Sequence, residues 1–157
     1  AVYRLDRDTS GLVLVAKNEL AAAKLAGKIK KDYYAVVGGI IKSNGIVNAP
    51  IARCGNSIIK RKVDENGETA ITEYFPVKSN SKCTLVRFNL KTGRTHQIRV
   101  HMEHIGHSLL GDSLYGGDCS NIRRQALHCK DIRFTHPISE NPMCISCELP
   151  YDIKNLV

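Results

Sequence analysis

Apolar and polar residues alternate most regularly in two neighbouring stretches of this chain, Glu68 to Val77 and Cys83 to Leu90, separated by a turn near Asn80. A period of two marks a strand with one covered face, and the short connection predicts an antiparallel pair. A third strand is expected over Asp32–Val37, rich in aromatic and β-branched residues and stopped by Gly38-Gly39. Leu12–Ala16 reads as a continuous apolar run and therefore as a buried strand. Between these, Asn18 is placed to cap a helix over Leu20–Ile29, where Leu25 and Ile29 share an apolar face and Gly27 weakens the last turn. Thr95 predicts the cap of a second helix that runs to about Ile105 and ends at Gly106.

The remaining stretches are more broken. Residues 43–67 carry turn signals and few periodic apolar positions, and read as a basic excursion with short strands. Glycines mark 111–117 as a loop, Arg124–Cys129 leads into a strand at Ile132–Phe134, and Thr135-His136-Pro137 turns the chain. Met143–Glu148 gives a last strand and residues 151–157 a short helix. The order predicts an α+β fold, a mixed and mainly antiparallel β-sheet with a few flanking helices. With no internal repeat, low-complexity segment or linker, residues 1–157 are expected to form one domain.

Charge changes the picture. A net charge of +8 steers the chain toward polyanions, with clusters at Lys28-Ile29-Lys30-Lys31, Lys60-Arg61-Lys62 and Arg123-Arg124. No apolar run is long enough to span a bilayer and no secretory pattern is present, so no membrane partner and a cytoplasmic location are expected. The six cysteines are accordingly expected as thiols, and Cys144-Ile145-Ser146-Cys147 alone is two ligands short of a structural zinc site. His101, His104 and His107 lack carboxylate or cysteine companions at ligand spacing, and no metal is expected there.

The densest chemistry lies in the first eleven residues, where Asp6 and Asp8 stand among Arg4 and Arg7 ahead of Thr9-Ser10-Gly11. Either carboxylate could serve only in a turn or a surface ion pair. Asp8-Thr9-Ser10-Gly11 also matches the motif of retroviral-type aspartic peptidases, but there is one copy, preceded by Arg7 rather than an apolar residue.

Arg4-Leu5-Asp6-Arg7-Asp8-Thr9-Ser10-Gly11 resembles the His-Arg-Leu-Asp-x-x-Thr-Ser-Gly signature of the RluA family of pseudouridine synthases, with Tyr3 in place of the family His. The resemblance continues in order through Tyr33–Gly38, where Asp32 replaces a commonly basic residue, and through Gly67–Tyr74. It goes on through the unbroken Thr92-Gly93-Arg94-Thr95-His96-Gln97-Ile98-Arg99-Val100-His101, Gly106–Gly117 with Ser108 as an exception, Arg124–His128 and Phe134–Pro137. It implies a partial pseudouridine synthase catalytic fold. The family's upstream Asn-Lys-Pro-x-Gly segment is not in this sequence, which begins with Ala1 and reads as an N-terminally truncated domain.

The resemblance further implies isomerisation of a specific uridine in structured RNA, ribosomal ahead of transfer RNA, by a monomer that needs no cofactor and no metal. Asp6 would be the nucleophile, Arg99 its ion-pair partner holding it ionised, and Tyr33 the ring stacked on the uracil. Arg4 would fill the place of a flipped base, and Arg94, His96 and Gln97 would contact RNA. The alternative is a catalytically silent RNA-binding module of the same fold.

Overall fold

The computed structural model describes residues 1–157. Its elements run β1 (Ser10–Gly11), α1 (Glu19–Leu25), β2 (Lys30–Gly38), β3 (Gly45–Asn48), β4 (Ile51–Arg53), β5 (Arg61–Val63), β6 (Ile71–Ser79), β7 (Cys83–Leu90), α2 (Gln97–His104), a 3-10 turn at Ser113–Tyr115, β8 (Leu127–Thr135), β9 (Pro142–Ser146) and α3 (Tyr151–Lys154). Seven strands form one sheet in the order β1-β8-β2-β7-β6-β3, with β9 also paired to β8, while β4 and β5 make a separate hairpin. Only β1 and β8 are parallel; every other pairing is antiparallel. The fold is therefore the mixed, mainly antiparallel sheet with three helices that the patterning predicts.

β2 is the central strand and is covered on both faces. Tyr33, Ala35 and Val37 join Val86, Phe88, Leu127 and Cys129 in the main core, capped by Ile98 and Met102 one helical turn apart on α2. Val36 faces the other way, against Cys83, Ile122, Ala126 and Ile153 of α3. A third cluster, Ile51, Ala70, Val100 and Tyr115, seats the β4–β5 hairpin beside α2. Next to Tyr33 the register of β2 against β8 slips: Asp32 faces Asp131 and Tyr33 faces Cys129, leaving Lys130 as the extra residue of a bulge. Asp32 is buried and pairs with Arg133 at 2.9 Å while accepting from Asn89 at 3.2 Å.

Several expectations are corrected. Leu12–Ala16 is not a buried strand: only Ser10–Gly11 pairs with β8, and Val13 and Val15 are 46% and 65% exposed. Leu12 and Leu14 alone rest on the core, so the run behaves as an extended edge with one covered side. α1 is capped by Asn18 as expected, with its side chain accepting from the Ala21 N–H at 2.8 Å, but it ends at Leu25 because Gly27 turns the chain at φ 71°. β8 is much longer than the expected Ile132–Phe134, since three neighbouring strands extend its ladder. The cap of α2 is His96 in the left-handed region (φ 58°), not Thr95.

What fixes α2 on the sheet is a one-way relay of hydrogen bonds. The Thr92 hydroxyl donates to Gln97 Oε1 (2.8 Å), and Gln97 Nε2 donates to Thr72 Oγ1 (2.9 Å). Thr72 then meets His101 Nδ1 (2.8 Å), and His101 Nε2 donates to the Ala49 carbonyl (2.8 Å). Every polar atom of this buried chain is satisfied only when His101 is neutral.

Two outcomes follow from this packing. Gly11 lies at φ 122°, and an added methyl group would overlap the main chain of Cys129, so Gly11→Ala should cost about 3 kcal/mol or more in urea unfolding. Gly27→Ala, also at positive φ but facing open space, should cost only about 1 kcal/mol.

The second outcome concerns pH. Burial, chiefly, holds His101 below its ordinary value of 6.5, and His96 and His128 shift the same way. The unfolded chain therefore takes up protons first as pH falls, and stability is lost from about pH 6.5 down to the lower folded values. The urea midpoint should fall between pH 7 and 5.5, and His101→Gln should lower the midpoint at pH 7 while flattening that fall.

Candidate active site

The site begins with a loop that cannot hold its own shape. Residues 3–9 contain no regular element and close one turn of their own, and the other bonds that hold them come from elsewhere in the chain. The Thr9 N–H donates to the Asp6 carbonyl at 3.0 Å, closing a turn in which Asp8 takes φ 68°. Gln125 Nε2 donates to the Arg7 carbonyl at 2.5 Å and to Thr9 Oγ1 at 3.1 Å, and Arg124 donates to the Asp8 carbonyl at 3.2 Å. The Tyr3 hydroxyl donates to the Leu12 carbonyl at 2.7 Å. Residues just before β8 thus clamp the loop at a distance of more than a hundred positions in sequence.

Arg99, third residue of α2, organises the other wall. Its Nε and Nη2 donate to the two carboxylate oxygens of Asp112 at 2.6 and 2.9 Å, and its Nη1 lies 3.6 Å from Asp6 Oδ2. The Arg99 and Asp112 side chains are 7% and 1% exposed, whereas that of Asp6 is 25% exposed. The ring of Tyr115 stacks on the guanidinium, 4.9 Å from its centre. Burial works against the charge on Arg99, but the bonds to Asp112 and the charges of Asp112 and Asp6 outweigh it, so its pKa is raised. A buried guanidinium is tolerated only with such a fork-on-fork partner.

Tyr33 is buried and its pKa is well above that of a free phenol, through burial first and then neighbouring Cys129, Tyr3 and Asp6. It is a neutral hydroxyl at pH 7. Burial likewise pushes the Cys129 thiol up to about 11. Lys31, its ammonium 4.2 Å from the centre of the Tyr3 ring, is shifted down by burial.

These walls enclose an open cleft of about 100 Å³ whose lining includes Arg4, Asp6, Tyr33, Arg94, His96 and Gln97, with Leu5, Leu90, Ile98 and Leu127 as its apolar part. Six of the seven residues singled out in the sequence thus meet at one cleft, and Arg99 stands behind Asp6. They are not equally free. Arg4 is exposed and unpartnered, but the Arg94 guanidinium is tied to the Thr69 carbonyl (3.0 Å) and to Glu68 (3.3 Å).

Gln97, expected at an RNA contact, has both amide ends committed: Oε1 accepts from Thr92 and the Arg94 N–H, and Nε2 donates to Ile71 and Thr72. These bonds shape the Arg94–His96 turn while the residue still lines the cleft. His96 Nδ1 meets the Tyr115 hydroxyl at 2.8 Å, and that hydroxyl also accepts from the Arg61 N–H at 3.0 Å. Burial and then Arg99 lower the His96 pKa, leaving a neutral imidazole at the rim.

Asp112 and Tyr115 were missed as individual site residues. Their sequence signals were the resemblance over Gly106–Gly117, the glycines that bound loop 111–117, and the rule that an arginine on a buried helix face needs a carboxylate partner. The rejected chemistries fall on geometry. Asp8 points outward, its side chain 60% exposed, and does not line the cleft. His101 is buried with both nitrogens bonded, His107 bonds the Gly38 carbonyl, and His104 is exposed, so the three diverge. Cys144 and Cys147 lie along and just beyond β9, roughly 10 Å apart in extended chain and too far for a disulfide.

A family model described as RNA pseudouridylate synthase matches residues 1–104. Over 99% of the chain, the sequence is 46% identical to the Uncharacterized RNA pseudouridine synthase YjbO of Bacillus subtilis (strain 168), covering 57% of that protein. It is 42% identical to the Ribosomal large subunit pseudouridine synthase D of Buchnera aphidicola subsp. Schizaphis graminum (strain Sg), covering 56% of it. The chain thus spans little more than half the length of these relatives. Among solved structures, Human RNA Pseudouridylate Synthase Domain Containing 1 superposes with a TM-score of 0.83 at 25% identity, covering 96% of this chain and 69% of that one. A cleft built on Asp6, Tyr33 and Arg99, a sheet shared with a pseudouridylate synthase domain and a family match over residues 1–104 lead to one conclusion: the chain belongs to the RNA pseudouridylate synthase family, of the RluA type that its motifs resemble.

Proposed function

We propose that this chain converts a uridine in ribosomal RNA to pseudouridine, with Asp6 as the nucleophile. The observation that carries the reading is the Asp6 carboxylate, partly exposed at the cleft and 3.6 Å from a guanidinium that Asp112 already holds rigid. In the reaction the N1–C1′ bond breaks and a C5–C1′ bond forms; C5 gives up its proton and N1 gains one, so atoms balance with no outside reactant. The Asp6 carboxylate attacks either the anomeric carbon or the uracil ring, and leaves when the new bond is made. Arg99 stays charged throughout and orients the carboxylate. Tyr33, a neutral phenol against the apolar lining, packs on the uracil and presents a hydroxyl for proton transfer. The target base must leave its stack to reach the cleft, and Arg4, exposed and unpartnered at the rim, is suited to fill the vacated place.

The decisive assay is pseudouridine formation on large-subunit ribosomal RNA by the intact protein. Asp6→Asn should reduce turnover by at least about 10³-fold, some 4 kcal/mol of barrier, without loss of RNA binding. Retained turnover in this variant would remove Asp6 from the reaction. An unaltered protein that binds RNA but leaves no pseudouridine would instead mark a silent binding module.

Asp112→Asn keeps the shape of the side chain but removes the charge that holds Arg99. It should lower kcat roughly 10- to 100-fold, about 1.4–2.7 kcal/mol, with KM for RNA within about twofold. Asp112→Ala, which leaves Arg99 buried without its fork, should also cost about 3–5 kcal/mol in unfolding free energy.

A further inference from the structure

Beside the cleft runs a second concavity of about 710 Å³, and the two share Lys31, Leu90 and Gly93 as a common wall. Four lysines and one arginine line it, Lys28, Lys30, Lys31, Lys91 and Arg133, and no carboxylate does. Two of these cations are already answered: Lys91 pairs with Glu73 at 3.1 Å and Arg133 with the buried Asp32 at 2.9 Å. Lys28 and Lys30 make no ion pair or side-chain hydrogen bond, and Lys31 has only the face of Tyr3.

The fold itself gathers this uncompensated charge. The turn at Gly27 brings the end of α1 straight into β2, so Lys28, Lys30 and Lys31 arrive within four residues beside the end of β7. Like charges crowded in this way repel, and an anion laid along the groove would relieve that repulsion. The glycines Gly27 and Gly93 leave the walls low where a ligand backbone would approach. There is no exposed aromatic ring in the lining to stack a base, so the groove is suited to a charged backbone and not to base reading.

We propose that this lysine groove holds the phosphate backbone of the RNA strand flanking the nucleotide in the cleft. The proposal rests on the RNA reading of the cleft and extends it: Lys28 and Lys30 set the strand's path and anchor it, while base selection lies elsewhere. Because the contacts are to phosphate, they act on affinity and its salt dependence and not on the chemical step.

The test measures binding of the intact protein to in vitro transcribed large-subunit ribosomal RNA and, separately, to polyuridylate, across a salt series. The double variant Lys28→Ala/Lys30→Ala should bind both RNAs roughly tenfold more weakly at low salt. Its slope of log affinity against log salt should be shallower by about 1.4–1.8, as expected for two lost phosphate contacts. Turnover at saturating RNA should be unchanged, and Lys82→Ala, at the opposite end of β7, should bind as the unaltered protein does. An unchanged slope and affinity in the double variant would overturn the groove while leaving the cleft's function standing. Weakening confined to the ribosomal RNA would also overturn it, because a phosphate contact is blind to sequence. Failure of the unaltered protein to bind RNA at all would overturn both readings.

Discussion

The structure depends on one buried charge. Arg99 sits on the inner face of α2, where a lone guanidinium would be strongly disfavoured, and it is accepted because Asp112 meets it with two hydrogen bonds and Tyr115 covers its face. That arrangement leaves a single N–H edge of the guanidinium unspent, and Asp6 occupies it at 3.6 Å. The nucleophile candidate is thus oriented by a cation that has no freedom to follow it. The asymmetry is chemical as well as geometric: Asp112 is sealed from solvent, while Asp6 keeps a quarter of its side chain open to the cleft.

Two further constraints converge on the same point. The hydrogen-bond relay from Thr92 to Ala49 pins α2 to β6 and fixes the turn that carries Arg94 and His96. His96 pays for its place with a left-handed backbone, stabilised by its bond to Tyr115. Asp8 on the opposite loop is held in a similar conformation by clamps from Arg124 and Gln125. Strained residues therefore flank the cleft on both sides, and each is over-determined by contacts from a distant part of the chain.

Around this centre the basic surface is organised in sequence order. The central strand β2 enters with unpaired lysines, changes register at the bulge beside Asp32, and delivers Tyr33 to the cleft immediately afterwards. Free cations of the groove and the aromatic ring of the cleft thus come from neighbouring residues of one strand.

Much of this was legible in the residues themselves. The period-two alternation of Cys83–Leu90 gave β7 to the residue, and Asn18 announced the start of α1, because strand faces and helix caps are set by neighbours a few positions away. The motifs around Asp6, Tyr33 and Arg99 likewise named the family. Leu12–Ala16 misled because an apolar run is silent about whether a second layer covers it, and the motif around Gln97 does not say which bonds its amide already makes. The Arg99–Asp112 fork and the groove that joins Lys28 to Lys91 came only from tertiary structure. Their partners lie 13 and 63 positions apart, and burial of charge is decided by what packs around it, a property no local pattern carries.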